Sequence, residues 1–304
     1  MRRAFAVVVV VVYREEMLPT FFVIGAAKAG TTSLSYYLGL HPEIHMSAVK
    51  EPHFFAGPEN GFPYPANRVE RLEDYERLFE TDLRVRGEAS PSYTQYARRT
   101  GVPERIREAV PDARFVYIVR DPIARTLSHF SHWSATGGER RSLREALADA
   151  DSLTNIYTCG GRYATQLERY LSVFPAERIL VLDQHELRRN RVATLRRVYA
   201  FLDVDPGFWT RELDHELGFA PGRRGDGSRY ARLRRSAAAG LSRLPAPVYL
   251  QLRRAASAVE ARTLPRVEPP TLDPDLRDRL VELYAPDVER LRALTGEAFA
   301  SWSV

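Results

Sequence analysis

The chain is 304 residues long, with 44% hydrophobic and 27% charged residues. This length and composition exclude a disordered or collagen-like chain and allow one large α/β domain with a substantial core. The formal net charge of +5 fits an anionic ligand but is too small to indicate nucleic acid, so no nucleic-acid partner is expected. The single cysteine, Cys159, excludes an internal disulfide framework and a cysteine-based zinc site.

The chain starts with two arginines and an apolar run from Ala4 to Val12. A bilayer span needs about 20 residues, so the run is too short to cross a membrane. The arginines imitate a signal peptide, but no small-residue cleavage site follows, and the valines favour a strand or a non-essential extension. We predict an N-terminal extension over 1–16, a single domain over 17–304, no integral membrane segment and a cytoplasmic location.

Short apolar runs alternate with helical patterns along the chain, and each run is predicted as a buried strand. The expected strands cover 21–24, 114–119 and 178–182, and the expected helices cover 32–41, 70–80, 123–133, 162–171 and 192–202. The stretch 51–68, rich in Pro, Gly and aromatic residues, is predicted as an ordered loop. This alternation indicates an α/β fold with three layers, α/β/α, around a central parallel sheet of about five strands.

The stretch from Gly25 to Ser33 lies between the first predicted strand and the first predicted helix. Gly25 and Gly30 are five residues apart and hydroxyl residues follow, so backbone N–H groups can wrap an anion at the start of the helix. This spacing is P-loop-like, but a triphosphate-binding P-loop has lysine where this chain has Thr31. The lysine lies earlier, at Lys28, so we expect it to meet an atom nearer the 5′ side of a nucleotide.

Lysine is rare in this chain. Of the 44 Lys and Arg residues, only Lys28 and Lys50 are lysines, and the other 42 are arginines. Such a bias is typical of a genome that favours arginine codons, and a remaining lysine indicates a position that needs a compact ammonium. The alternative is that two lysines fell in these segments by chance.

The loop resembles the 5′-phosphosulfate-binding loop of sulfotransferases that use 3′-phosphoadenosine 5′-phosphosulfate (PAPS). The resemblance covers about Phe21 to Trp302 and is to bacterial proteins of the heparan sulfate and carbohydrate sulfotransferase type. It implies that Lys28 contacts the 5′-phosphate and the bridging oxygen and stabilises the leaving group. It also implies that the following loop residues hold the phosphate and sulfonate oxygens, namely Ala29, Gly30, Thr31, Thr32 and Ser33.

A second candidate anion site follows the second predicted strand, where Arg120-Asp121-Pro122 is followed by Ser128. An arginine at a strand end can fork onto a phosphate, and Ser128 can meet the same anion if the helix turns back across the strand end. The alternative is that Arg120 pairs with Asp121 while Ser128 faces solvent. The spacing resembles the family's 3′-phosphate site, which implies that Arg120 and Ser128 bind that phosphate.

A glycine-containing basic loop covers 218–225. Family members carry such a loop near this point, and it closes over the nucleotide. The resemblance implies that Arg223 and Arg224 contact the donor, although the usual Lys-Gly-Arg order is absent here. A solvated arginine pair is the alternative interpretation.

The segment Lys50-Glu51-Pro52-His53, followed by two phenylalanines, suggests a catalytic base. A carboxylate beside apolar rings is expected to have a raised pKa, because desolvation disfavours its charged form. The segment resembles the Glu-x-His-Phe-Phe stretch of heparan-type sulfotransferases. That resemblance implies that Glu51 is the base and His53 a supporting or alternative one, and Lys50 is a candidate to assist. The alternative is a structural Glu–His pair.

Three further segments have less specific patterns. The stretch 87–93 is family-like, and its Glu88 and serines are candidates to line an acceptor pocket, with a turn after a strand as the alternative. Tyr163 opens a helix that faces the acceptor cleft in relatives. The arginine-rich segment 229–266 fits either an acceptor- or membrane-facing surface or a solvated helix face.

The resemblance implies transfer of a sulfonate group from PAPS to a hydroxyl or amine of a carbohydrate, glycolipid or small metabolite, leaving adenosine 3′,5′-bisphosphate. No metal is expected. The alternatives are a P-loop small-molecule kinase that uses Mg-ATP, with Asp121 as the strand-end candidate for the metal, and a non-catalytic nucleotide-binding protein.

Overall fold

The structure, a computed structural model, describes residues 13–57, 68–135, 137–214, 252 and 270–304. Its centre is one parallel sheet of five strands in the order β2-β3-β1-β4-β5. The strands are β1 (Phe21–Gly25), β2 (Ile44–Met46), β3 (Val85–Ala89), β4 (Arg114–Val119) and β5 (Ile179–Asp183). The predicted parallel sheet of about five strands is confirmed.

Helices cover both faces of the sheet, which confirms the three-layer prediction. The helices are α1 (Thr31–Leu38), α2 (Leu72–Glu76), α3 (Val102–Ala109), α4 (Pro122–Ala135), α5 (Leu143–Ala146), α6 (Tyr163–Leu171), α7 (Gln184–Arg189), α8 (Arg191–Phe201) and α9 (Pro274–Thr295). Short 3-10 turns at 54–56 and 91–94 connect the elements near the carboxyl edge of the sheet.

Side chains of β1 alternate between two hydrophobic clusters, and all five of its residues are buried. Phe22 and Ile24 pack with α3, α4, α6 and α9, whereas Phe21 and Val23 pack with α1, α7 and α8. A strand covered on both faces needs apolar residues at every position. The continuous apolar run in the sequence is therefore the correct signal for a central strand.

The long helix α9 is fixed to α6 by a buried carboxylate. Asp287 accepts hydrogen bonds from the backbone N–H groups of Ala164 (2.8 Å) and Thr165 (3.1 Å), which are unpaired donors at the start of α6. The negative charge of Asp287 also interacts favourably with the positive end of the α6 helix dipole. Among the described residues, no helix is both long and apolar enough to cross a membrane.

Several sequence predictions lie outside the described residues. They concern the apolar run 4–12, the arginines Arg223 and Arg224, and nearly all of the basic segment 229–266. The division into an extension over 1–16 and a single domain over 17–304 also stays a prediction.

Candidate active site

The loop between β1 and α1 depends on two glycines. Gly25 has φ +154°, and a Cβ there would lie 2.1 Å from Oγ1 of Thr94. Gly30 has φ +96°, a left-handed conformation that L side chains rarely adopt, and it is the N-cap of α1. The backbone N–H of Ala26 donates to the carbonyl oxygen of Ile118 at 2.6 Å, which ties the loop to β4.

The start of α1 offers backbone donors to a ligand. The first hydrogen bond within the helix runs from the N–H of Leu34 to the carbonyl oxygen of Gly30, at 3.0 Å. The N–H groups of Thr31, Thr32 and Ser33 come before it and have no acceptor within the helix. Within the described part of the chain, no side chain caps this end. Ala29 differs from the expectation, because its N–H donates to the Ala26 carbonyl at 3.0 Å and so is already used inside the loop.

Lys28 occupies a left-handed position in the loop, with φ 72°. Burial lowers the pKa of Lys28 to about 8, with further lowering by the nearby charges of Lys50, Arg120 and Arg125. The carboxylate of Glu51 opposes this shift by attracting the ammonium. A buried cation beside three others stabilises an anion that enters among them.

Arg120, which follows β4, reaches the same loop. Its Nη1 donates to the backbone carbonyl of Lys28 at 3.3 Å, and its own carbonyl accepts from the Tyr163 hydroxyl at 2.7 Å. Asp121 does not pair with it, since its Oδ1 accepts from the N–H of Ala124 (2.7 Å) and its Oδ2 from the N–H of Ser303 (2.6 Å). The alternative interpretation, an Arg120–Asp121 ion pair, is therefore not seen among the described residues.

The structure gives less direct support for two other candidates from the sequence, Ser128 and Tyr163. Ser128 is half-buried on α4, two turns beyond the strand end, and the hydrogen bonds of Arg120 among the described residues do not include it. Tyr163 is fully buried against Tyr117 and Trp302, so its hydroxyl supports Arg120 and does not face an open cleft.

Arg125 is a site residue that the sequence interpretation missed. Its side chain is 0% exposed, and its guanidinium donates to the carbonyl oxygens of Ala27 (3.4 Å) and Tyr157. Its Nε finds no hydrogen-bond partner among the described residues. The sequence does place Arg125 on the apolar face of the helix α4, which could have indicated a buried functional arginine. Residue spacing alone does not show that Arg125 lies beneath the loop.

The candidate base lies in a strained turn before the 3-10 turn at 54–56. Glu51 and His53 both have left-handed backbones, with φ 57° and 54°. The Lys50 ammonium donates to Oε1 of Glu51 at 2.7 Å, and Nε2 of His53 lies 3.6 Å from Oε2. On the other side of its ring, Nδ1 of His53 hydrogen-bonds the Ser92 hydroxyl at 2.6 Å. Such conformations cost of order 1–3 kcal/mol each and cluster at functional sites.

The expected rise in the pKa of Glu51 is wrong. Burial alone would raise this pKa, but the Lys50 ammonium and the His53 ring outweigh burial and hold the pKa well below its usual value. The side chain also keeps 29% of its surface exposed. The sequence argument counted the aromatic neighbours and missed the cation next in the chain. Glu51 is ionised at neutral pH.

Glu88 does not line an open pocket, because its side chain is 0% exposed. Its carboxylate accepts from the hydroxyls of Tyr75 (2.6 Å), Tyr93 (2.7 Å) and Ser90 (2.5 Å). The stretch 87–93 thus forms a buried polar network, and it does not form an acceptor surface. The network lies beneath the turn 51–53 that carries Glu51 and His53, called the base turn below.

Comparisons with known proteins find similarity to sulfotransferases. Residues 64–210 match the profile of the sulfotransferase family. The crystal structure of a sulfotransferase from Alicyclobacillus acidocaldarius is similar to this chain, with a TM-score of 0.67, 29% sequence identity, and coverage of 94% of this chain and 99% of that one. The chain is therefore similar to a sulfotransferase of solved structure over 94% of its length, and residues 64–210 match the sulfotransferase family.

Two mammalian relatives of this chain are larger. Bovine bifunctional heparan sulfate N-deacetylase/N-sulfotransferase 2 is 27% identical over 231 residues, which are 67% of this chain and 24% of the relative. Human carbohydrate sulfotransferase 15 is 26% identical over 253 residues, with 64% of this chain and 45% of the relative covered. The chain thus spans less than half the length of these curated relatives.

Proposed function

We propose that this protein is a sulfotransferase that uses PAPS as its donor and transfers the sulfonate group to a hydroxyl or amine of a carbohydrate. The observation that carries the proposal is the position of Lys28. Its ammonium lies in an anion-binding loop, in electrostatic contact with Arg120 from β4 and with Glu51 from the base turn. One site therefore combines cations for an anionic donor with an ionised carboxylate for a proton.

The donor is proposed to bind at the carboxyl edge of the parallel sheet, where open α/β sheets take their ligands. The N–H groups and hydroxyls of Thr31, Thr32 and Ser33 would hold the 5′-phosphosulfate oxygens. Arg120 and Ser128 would bind the 3′-phosphate. Arg120 is available for this role because Asp121 is engaged by Ala124 and Ser303.

In the reaction, the acceptor oxygen or nitrogen attacks sulfur while the bond from sulfur to the bridging oxygen breaks. The bridging oxygen leaves on the 5′-phosphate of adenosine 3′,5′-bisphosphate, and Lys28 stabilises the negative charge that develops there. The acceptor proton passes to the carboxylate of Glu51. Holding donor and acceptor in line supplies most of the remaining acceleration.

The ionisation of Glu51 suits a base that must be free to accept a proton. In the protein without donor, the Lys50 charge makes Glu51 a weak base. A bound donor brings negative charge beside Lys28 and Lys50, which offsets their effect on the carboxylate. The basicity of Glu51 is therefore expected to rise when the donor is in place, with His53 holding its second oxygen.

The carbohydrate acceptor is proposed from the relatives, whose names describe heparan sulfate and carbohydrate sulfotransferases. The kinase alternative is disfavoured, because both oxygens of Asp121 already accept hydrogen bonds. The proposal is tested by transfer of ³⁵S from labelled PAPS to de-N-sulfated heparan sulfate and to a panel of other glycans. Label on a glycan with wild type and none with Lys28→Ala supports the proposal. No transfer to any glycan, but transfer to a small phenol, would contradict the acceptor class.

A further inference from the structure

We propose that Glu88 is a positioning residue that fixes the base turn through the hydroxyls of Ser90 and Tyr93. The inference rests on the proposed function only in taking Glu51 as the base. It concerns three side chains with no place in the donor site. Each of them is buried, and each lies beneath the turn that carries Glu51 and His53.

The Glu88 carboxylate sets the direction of three hydroxyl hydrogens. Oε1 accepts from Tyr75 (2.6 Å) and Tyr93 (2.7 Å), and Oε2 accepts from Ser90 (2.5 Å). A hydroxyl has one hydrogen, so a hydroxyl that donates to Glu88 can only accept from any other partner. Glu88 thereby turns the oxygens of Ser90 and Tyr93 into acceptors.

Those two oxygens accept from the backbone of the base turn. The Ser90 hydroxyl accepts from the N–H of His53 at 3.1 Å, and the Tyr93 hydroxyl accepts from the N–H of Phe55 at 3.1 Å. The two bonded amides belong to His53, in the base turn, and to Phe55, just after it. These two hydrogen bonds therefore fix the backbone of the turn. The third hydroxyl, that of Tyr75, bonds only the Glu88 carboxylate in this described network and does not bond the backbone of the base turn. The Tyr75 ring stacks on Phe54.

The turn needs such an anchor because its backbone is unfavourable on its own. Left-handed φ values at Glu51 and His53 persist only where the surroundings hold them. If the anchoring bonds are lost, the turn relaxes, and the Glu51 carboxylate moves relative to the acceptor. A buried acceptor with three donors is well suited to this role, since each unmade bond would leave a costly buried polar group.

The test compares three hydroxyl deletions that keep the same fold and remove one atom each. Tyr93→Phe and Ser90→Ala break the links to Phe55 and His53. Tyr75→Phe removes a hydroxyl from the same carboxylate with no link to the turn, and is the matched control. The measurements are amide hydrogen exchange at His53 and Phe55, the Kd for adenosine 3′,5′-bisphosphate, and the rate of bisphosphate release from PAPS with and without de-N-sulfated heparan sulfate.

We expect exchange about tenfold faster or more at Phe55 in Tyr93→Phe and at His53 in Ser90→Ala, as loss of a buried hydrogen bond predicts. Bisphosphate release should fall about tenfold or more in both variants, with the bisphosphate Kd unchanged. Tyr75→Phe should stay within about twofold of wild type in all measurements. Equal effects in all three variants, or unchanged exchange in the first two, would overturn the inference.

Glu88→Gln provides a second variant if either deletion fails to fold. Its amide oxygen can still accept from Tyr75 and Tyr93, while its NH₂ group would face Ser90. Exchange should therefore increase at His53 and not at Phe55, and the reverse pattern would contradict the inference. Glu51→Gln separates this test from the proposed function. If that variant keeps full transfer activity, Glu51 is not the base, but the exchange data still decide whether Glu88 holds the turn.

Discussion

Nη1 of Arg120 lies 3.3 Å from the backbone carbonyl oxygen of Lys28, which accepts its hydrogen bond. This bond joins the end of β4 to the loop that follows β1, although 92 residues separate the two positions in the chain. Two candidate anion-binding segments that the sequence identified separately therefore belong to one region.

The Lys28 pKa of about 8 predicts that donor-product affinity depends on pH. A bound anion raises this pKa, so the protonated lysine contributes its full binding energy below pH 8. Affinity should fall by up to tenfold per pH unit as the pH rises above 8. Calorimetry with adenosine 3′,5′-bisphosphate between pH 6.5 and 9.5 measures this. Lys28→Arg is the control, because a guanidinium stays charged across this range and its weaker binding should not vary with pH.

Replacing Glu51 with Gln should remove the base and keep the shape of the side chain. We expect sulfonate transfer to fall about 10²–10⁴-fold, as loss of a general base predicts. Binding of adenosine 3′,5′-bisphosphate should not weaken, since the carboxylate repels the anionic product. Steady-state transfer and calorimetry measure the two effects. Glu73→Gln, an exposed change, serves as the control, and equal activity of the two variants would contradict the role of Glu51.

The sequence predicted the central sheet, and the loop between β1 and α1, because both depend on local patterns. Apolar runs identified β1, β4 and β5 as strands. The strand β3 was not among the expected strands because it reads Val-Arg-Gly-Glu-Ala, and the side chains of Arg86 and Glu88 are held by long-range hydrogen bonds. For the same reason the sequence suggested an acceptor pocket for Glu88, whose partner Tyr75 lies on another element, α2.

The buried Arg125 should be important for stability as well as for the loop. Arg125→Met removes the guanidinium donor from the carbonyl oxygens of Ala27 and Tyr157, although Tyr157 keeps its bond from the Thr126 hydroxyl. Hydrogen bonds that involve a charged group contribute about 1.5–3 kcal/mol each, so the free energy of unfolding should fall by about 2–4 kcal/mol. Urea denaturation measures this change. An exposed change, Arg77→Met, should cost less than about 0.5 kcal/mol, and an equal effect of the two would contradict the account.

Gly25→Ala should disrupt the loop by steric overlap. A Cβ at this position meets Oγ1 of Thr94 at 2.1 Å, so either the strand end or the 91–94 turn must shift. Overpacking of this kind costs about 1–3 kcal/mol. Gly137→Ala is a matched control, because Gly137 also has a positive φ (+74°) but its Cβ would meet none of the described residues within 4 Å. Thermal unfolding with and without bisphosphate should show the larger loss, and the weaker ligand stabilisation, for Gly25→Ala.

The electrostatics of the site could not be predicted from the residue types alone. The Phe54 and Phe55 rings suggested a desolvated Glu51, but the geometry brings the Lys50 ammonium to 2.7 Å and reverses the shift. Likewise, the sequence left Asp121 as a possible partner for Arg120, but in the structure Oδ2 of Asp121 accepts a hydrogen bond from Ser303, which lies far away in the chain. In both cases the deciding contact is set by side-chain direction or by tertiary packing.

The central claim is that the loop around Lys28 binds a PAPS-type donor. Calorimetry of the full chain with adenosine 3′,5′-bisphosphate and with ATP, each with and without Mg²⁺, tests it most directly. We expect metal-independent binding of the bisphosphate that weakens about tenfold or more in Lys28→Ala, as loss of a charged contact implies. Tight, Mg²⁺-dependent binding of ATP with no binding of the bisphosphate would contradict it.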